Sequence, residues 1–391
     1  MKKTYKFRLY PSKSQATALE QTLDTCRWVY NQTLAYRKQQ WEDSKKSVSK
    51  YDTHKLLPEW KTQNEDLLSV HSQVLQNVQE RVDLAFKSFF RRIRKKETPG
   101  YPRFKGRGWY DSFTYPQLGF KIESPKIVFL SKIGKVKINI HRKIEGTIKR
   151  VTILRTVRNK WYASFVVVNE EESLPRNSSK LVTGIDVGIT NFLTFSDGST
   201  VENPRFFRSE EKMLAKAQCK FSKTEKGSKD RKKTLKVVQR IHERIANKRL
   251  NFAHQLSHKL VTKFRVICVE SLNIKSMLEN GTRSLSKSIS DASWNLLLTL
   301  TTYKAASAGS VVVFVDPKNT SQMCSQCGMM VPKDLSVRIH KCPYCNLEID
   351  RDHNAALNIL RLGTQTLNND LTRLGLQSLP SFSANGKPMN G

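Results

Sequence analysis

The chain has 391 residues, enough for two or three domains and for a core that folds without disulfide staples. Lys and Arg number 68 against 34 Asp and Glu, a formal net charge of +34, which points to a polyanionic partner, nucleic acid ahead of membrane lipid. Three classes are excluded. The longest uncharged apolar stretch, Trp294 to Tyr303, is too short for a membrane span, and Lys2, Lys3, Lys6 and Arg8 sit where a signal peptide needs its apolar core. Four of the seven cysteines crowd into Cys324–Cys345, which argues against a secreted disulfide framework and for a metal site in a reducing cytoplasm. The 38% of apolar residues fall in periodic patterns, which excludes disorder for most of the chain.

Tyr5, Phe7 and Leu9 alternate with Lys6 and Arg8, a half-buried strand over 4–9. From Ser12 the spacing of Leu19, Leu23, Cys26, Tyr30 and Leu34 predicts an amphipathic helix, and Leu75, Val78, Val82, Phe86, Phe89 and Ile93 predict a second. Basic residues at the end of that second helix, from Lys87 to Lys96, continue through Arg103, Lys105 and Arg107. Tyr101, Phe104, Trp109 and Tyr110 are interleaved, the mixture that suits phosphate contact with base stacking. Residues 112–168 read as strands that, with strand 4–9, form a small β-barrel interrupted by the helices. Glu170 to Ser179 reads as a linker.

A second region opens with an apolar strand from Leu181, a strand over Asn191–Ser196 and a hairpin turn at Asp197-Gly198. Residues 205–249 are helical in pattern, break at 226–229, and hold sixteen Lys/Arg against five Asp/Glu, a local net of +11. Strands at 265–270 and 311–315 enclose a helix expected from about Asp291 to Ala308, so this region is mixed α/β. Residues 364–391 lose periodicity and are expected to fray.

Cys324-x-x-Cys327 and Cys342-x-x-Cys345 enclose fourteen residues, a spacing at which four thiolates close a tetrahedral, structural zinc site. Gly328 and Asn346 follow the two knuckles, where backbone with positive φ is needed. Cys26, Cys219 and Cys268 lie in apolar patterns and are expected in cores. Asp186 stands between glycines in the strand from Leu181, and Glu270 closes the apolar run Val266–Val269. Asp350 and Asp352 precede the helical run Ala355–Leu360. Singly these acids have bland readings: turn acceptor, lysine partner, helix cap. Together, at the ends of elements in one α/β domain of a cationic protein, they suit Mg²⁺ held against phosphate oxygens.

The stretches Gly184-Ile185-Asp186-Val187-Gly188-Ile189-Thr190, Val269-Glu270, Thr320–Gly328 and Asp350-Arg351-Asp352-His353-Asn354-Ala355-Ala356 resemble the TnpB family. These are transposon-encoded RNA-guided nucleases related to type V CRISPR effectors. The resemblance runs from Lys6 to Leu360, and Ser288–Trp294 matches a further family segment, with Ser293 where Gly is usual.

It implies an α/β, multi-domain chain. The expected divisions are a wedge β-barrel from 1–10 and 106–178, interrupted by a helical recognition domain at 11–105; an RNase H-like (RuvC) nuclease domain at 179–317 and 348–363; a zinc ribbon inserted at 318–347; and a flexible tail from 364. Asp186, Glu270 and Asp352 match the family's catalytic triad, with Asp186 bridging two Mg²⁺ ions and Asp350 acting from behind. Tyr51 and Gln76 fall where contacts to a DNA motif flanking the target are expected, against the reading that they lie on a core-adjacent helix face.

The implied function is Mg²⁺-dependent cleavage of double-stranded DNA directed by a guide RNA from the mobile element. The implied cofactors are two catalytic Mg²⁺ and one structural Zn²⁺, in a prokaryotic, nucleoid-associated cytoplasmic protein with no membrane partner and no required oligomer. The alternative is a guided DNA-binding repressor that does not cut. A strand-joining transposase and a non-catalytic zinc-ribbon transcription factor fit less of the pattern.

Overall fold

The computed structural model describes residues 2–169, 179, 181–334 and 336–373, so most of the expected 170–179 linker and residues beyond 373 lie outside the described residues. The chain divides into two compact units, residues 1–172 and 173–391.

The first unit comprises β1 (Lys2–Tyr10), α1 (Lys13–Ser44), α2 (Lys50–Lys55), α3 (Leu57–Gln63), a 3₁₀ turn (Glu65–Ser69), α4 (Ser72–Arg94), β2 (Ser112–Tyr115), β3 (Phe120–Ser124), β4 (Ile127–Leu130), β5 (Gly134–Asn139), β6 (Thr147–Arg155) and β7 (Trp161–Val168). A reciprocal capping box between Ser12 and Gln15 starts α1. The seven strands form one antiparallel sheet in the order β2-β6-β7-β1-β5-β4-β3, with β1 between β7 and β5. This corrects the closed barrel: β2 and β3 are edges, not partners. The apolar face of the sheet, including Phe7, Leu9, Ile153 and Phe165, shares one core with Leu19 and Leu23 of α1 and Val78 and Val82 of α4. Helices α1 and α4 cover that face. Cys26 is fully buried in this core.

The second unit comprises β8 (Val182–Val187), β9 (Asn191–Phe195), β10 (Thr200–Glu202), α5 (Phe206–Ser222), α6 (Lys229–Lys263), β11 (Val266–Glu270), α7 (Ile274–Asn280), α8 (Arg283–Ala292), α9 (Trp294–Ala308), β12 (Val311–Val315), β13 (Ile339–Lys341), β14 (Glu348–Asp350) and α10 (Arg351–Arg373). Its main sheet runs β10-β9-β8-β11-β12; β8, β11 and β12 are parallel, and β9 and β10 are antiparallel. Alternation sorts β11 between two layers. Ile267 and Val269 face a core with Leu256 and Leu260 of α6 and Leu297 and Ala305 of α9. Val266 and Cys268 face Ile359 and Leu360 of α10.

Contact with α10 is close because glycines permit it. A Cβ on Gly184 would stand 2.1 Å from the Ala356 carbonyl oxygen, and one on Gly363 would stand 2.3 Å from Cys268 Sγ. Three expectations change here. The frayed tail from 364 is instead α10 through Arg373, with Thr364 buried and Leu367 packed on the core, because the helix's apolar stripe outlasts the change in composition. The helix expected from about Asp291 starts instead at Trp294: Asp291 belongs to the end of α8, and Ser293 between them takes the left-handed conformation (φ 56°, ψ 39°) that glycine adopts most readily. Cys219 is exposed, off the Leu214–Ala217–Phe221 stripe of α5.

Gly184→Ala should lower stability by about 3 kcal/mol, at the upper end of overpacking costs, because backbone must move on both sides. Chemical denaturation of the two purified proteins measures the difference.

Candidate active site

Register and alternation bring the acids together. In the parallel pair, Cys268 stands opposite Gly184 and Val269 opposite Ile185, so the next rung sets Glu270 beside Asp186. Two-residue alternation turns Asp186 the same way as Gly184 and Glu270 the same way as Cys268, toward the α10 layer. Asp352 arrives on the first turn of α10. All three line one cleft of about 380 Å³ with Trp294, Arg338 and Arg351.

Asp350, by contrast, is exposed, and its Oδ1 accepts the backbone N–H groups of Asp352 (2.9 Å) and His353 (3.0 Å). It starts the helix, which leaves the Asp352 carboxylate free for the cleft. An ideal Cβ on Gly188 would stand 4.0 Å from Asp352 Oδ2, so a bare backbone flanks that carboxylate.

Burial, then the charges of Glu270 and Asp352, push the Asp186 carboxyl well above the usual carboxylate range, with Arg351 opposing. Burial also raises Glu270, against a hydrogen bond from Thr320. Asp352 is raised by burial and Asp350, with Arg338 and Arg351 opposing. Arg351 is buried; its Nη1 donates to the Asp334 and Val337 carbonyls, and its backbone N–H donates to the Arg338 carbonyl. Arg338 is exposed at the cleft. Three hard oxygen donors held in mutual repulsion suit divalent cations. They are not gathered as closely as a single-ion cage: among the described residues, the four cysteines are the group whose ligand atoms all lie within 4.8 Å of one another.

Those thiols have the geometry of a closed tetrahedral site. Cys324 Sγ and Cys345 Sγ are 3.6 Å apart, as are Cys327 Sγ and Cys342 Sγ, close to the roughly 3.8 Å edge implied by Zn–S bonds of about 2.3 Å. The knuckles match: the Gly328 N–H donates to the Cys324 carbonyl and the Asn346 N–H to the Cys342 carbonyl, with positive φ at both (78° and 57°). The cluster fits structural zinc. Sequence reasoning missed what roots it. Asn354 and Asn358 of α10 are fully buried. Asn354 receives the Ser325 N–H and donates to the Met323 carbonyl, and Asn358 donates to the Thr320 and Met323 carbonyls. Their polar residues on the inner face of an amphipathic helix were the available signal.

In the first unit, Tyr51 on α2 and Gln76 on α4 are both exposed, so neither is a core-adjacent face residue. Phe86, Phe89, Phe90 and Tyr101 form a ring cluster with centroids 5.2–6.4 Å apart. Phe90 and Tyr101 are about half exposed beside the exposed run Arg91–Lys96. Among the described residues no helix is long and apolar enough to cross a membrane.

A mixed α/β sheet with three converging acids, and a four-cysteine module rooted on its last helix, defines a class that comparison with known proteins narrows. Family models described as "Helix-turn-helix domain", "Probable transposase" and "Cas12f1-like, TNB domain" match residues 1–46, 165–281 and 294–359. Over 13–44 the structure has one unbroken helix rather than a helix-turn-helix. A "Putative RNA-guided DNA endonuclease" of Streptomyces pristinaespiralis is 34% identical, over 93% of this chain and 90% of that one. "Putative RNA-guided DNA endonuclease InsQ" of Escherichia coli (strain K12) is 31% identical, over 93% and 92%. The fold is that of the protein in a "Cas12f1-sgRNA-target DNA complex", with a TM-score of 0.56 over 92% of this chain and 98% of the other, at 15% identity. The chain belongs to the TnpB family.

The folded protein binds protons at the acid cluster more tightly than the unfolded chain does. Metal-free stability at this cluster is therefore lost as pH rises from the ordinary Asp value of 3.8 through the raised one. Asp186→Asn should melt higher than the parent at pH 8, the gap should narrow toward pH 4, and Mg²⁺ should raise the parent's melting temperature more than the variant's. Thermal melts with and without Mg²⁺ test this.

Elemental analysis should find about one zinc per chain, and Cys342→Ser should lower zinc content and melting temperature together.

Proposed function

We propose that this protein is an RNA-guided DNA endonuclease of a mobile element, cutting double-stranded DNA beside a short flanking motif. The observation that carries the reading is the convergence of Asp186, Glu270 and Asp352 in one open cleft. The names of its relatives, the description "Probable transposase" and the Cas12f1-like fold support it. The second unit would then be an RNase H-like (RuvC) nuclease domain carrying a zinc ribbon, and the first a wedge and recognition region.

Asp186, Glu270 and Asp352 would hold Mg²⁺, with Asp186 central because both other acids act on its charge. When bound, two such ions supply an activated water and stabilisation of the leaving 3′ oxygen of a phosphodiester. The chain's own contribution is positional. The exposed Arg338 presents a cation to the phosphate that the acids would otherwise repel, while buried Arg351 offsets part of their charge from within. Basic tracts at 87–107 and 205–249 hold backbone phosphates, while base pairing reads sequence. Phe90 and Tyr101 offer faces for unpaired bases, and Tyr51 and Gln76 offer exposed side chains for the flanking motif.

Copurified RNA should be a discrete species. With a matched target, Asp186→Ala, Glu270→Ala and Asp352→Ala should each cost more than the roughly 100-fold that loss of an outer partner costs, while guided binding survives. A double replacement should be no worse than a single one. Asp350→Ala should cost about 1 kcal/mol of helix stability and keep cutting. Full cutting by Asp186→Ala or Glu270→Ala would refute the nuclease reading. Cutting by Asp352→Ala but not Asp350→Ala would reassign the third ligand.

A further inference from the structure

We infer that Thr320 is a positioning residue for Glu270, fixing one carboxylate oxygen so that the other is presented to divalent cations in the acid cleft. This rests on the carboxylate reading above and adds a residue to it. Thr320 is buried at the root of the four-cysteine module, four residues before Cys324, and lines the cleft. Its Oγ1 donates to Glu270 Oε1, the one hydrogen bond to that side chain among the described residues. The Pro317 carbonyl lies 3.1 Å from the same hydroxyl.

What holds the threonine is as informative as what it holds. Its carbonyl accepts from Asn358 Nδ2 at 2.9 Å, and the same amide donates to the Met323 carbonyl at 2.7 Å. Asn358 is fully buried on α10, the helix that carries Asp352 six residues earlier. A continuous chain of contacts therefore runs from the helix bearing one acid, through the module's root, to the carboxylate of another.

Glu270 ends its strand, and its three side-chain torsions give it more freedom than the shorter Asp186 or Asp352. A hydroxyl that occupies Oε1 removes that freedom in advance. It also favours the ionised carboxylate, because it can only donate to it in that contact. Partners behind metal ligands characteristically do both, and their loss weakens metal affinity by about 10- to 100-fold.

A purely structural role, stapling the module's root, makes different predictions, so the test separates the two. The full-length protein with its copurified RNA is titrated with Mg²⁺ alone, read by melting temperature and by calorimetry. Thr320→Val, which keeps the shape and deletes the hydroxyl, should raise half-saturating Mg²⁺ about tenfold, with zinc content and target binding unchanged. Thr320→Ala is carried alongside in case the valine variant misfolds, and should do the same. Thr320→Ser, which keeps the hydroxyl, should stay within about threefold of the parent. In a Glu270→Gln background, Thr320→Val should cause no further change in the Mg²⁺ response, since the carboxylate it serves is gone.

An unchanged half-saturation in both hydroxyl-deleting variants would overturn the inference. So would weakened Mg²⁺ binding that appears only together with zinc loss, since that is the behaviour of a staple. A parent protein with no Mg²⁺ response would refute the carboxylate reading itself, an outcome visible before any variant is made.

Discussion

The second unit depends on how closely α10 can lie against β8. Helix backbone meets strand backbone at Gly184, and the bare backbone of Gly363 meets the Cys268 side chain one strand over, so glycine seats the helix on the sheet at two points. Seating fixes three things at once. It sets the height of Asp352 above Asp186 and Glu270, it brings Asn354 and Asn358 to the segment 320–325, and it closes one face of the parallel strands. A helix held off by ordinary side-chain packing would draw Asp352 away from Asp186 and Glu270 and leave the four-cysteine module without its root.

The acid cleft is a local exception in a cationic protein. With 34 more basic than acidic residues, the chain draws polyanions over much of its surface, yet at the cleft three carboxylates oppose them. Burial makes the opposition sharper, because each carboxylate loses water before it gains a counterion. Arg351, itself buried and tied to the Asp334 and Val337 carbonyls, offsets part of this charge and keeps the strand end at Arg338 in place. The acids alone would repel a phosphate there, and a bound cation would reverse the sign of that interaction.

Much of this was legible in the sequence because it rests on local chemistry. Glu270 and Asp186 stand out as lone acids in apolar strands, and the knuckles announce themselves by spacing and by Gly328 and Asn346. Period changes located β1, α1, α4, the α5–α6 break and the strands β11 and β12. What was not legible depends on contacts between distant segments. Thr320, Arg351, Asn354 and Asn358 are ordinary polar residues until folding puts backbone carbonyls or a carboxylate in front of them. The short helices between 50 and 63 lack enough turns to show a period. Whether seven strands close depends on pairings between distant strands, here absent between β2 and β3 among the described residues. The polar residues after Thr364 hid a helix that Leu367 continues to anchor.

The three acids enter the chain at positions 186, 270 and 352, and α10 comes last among the described elements. During synthesis the first unit and most of the sheet leave the ribosome before the helix that completes the cleft, and domains fold largely in that order. A nascent or prematurely terminated chain would already display most of the basic surface while lacking a full set of acids. Such a chain would lack Asp352 together with Asn354 and Asn358, so one helix completes the acid cleft and the root of the four-cysteine module in the same step.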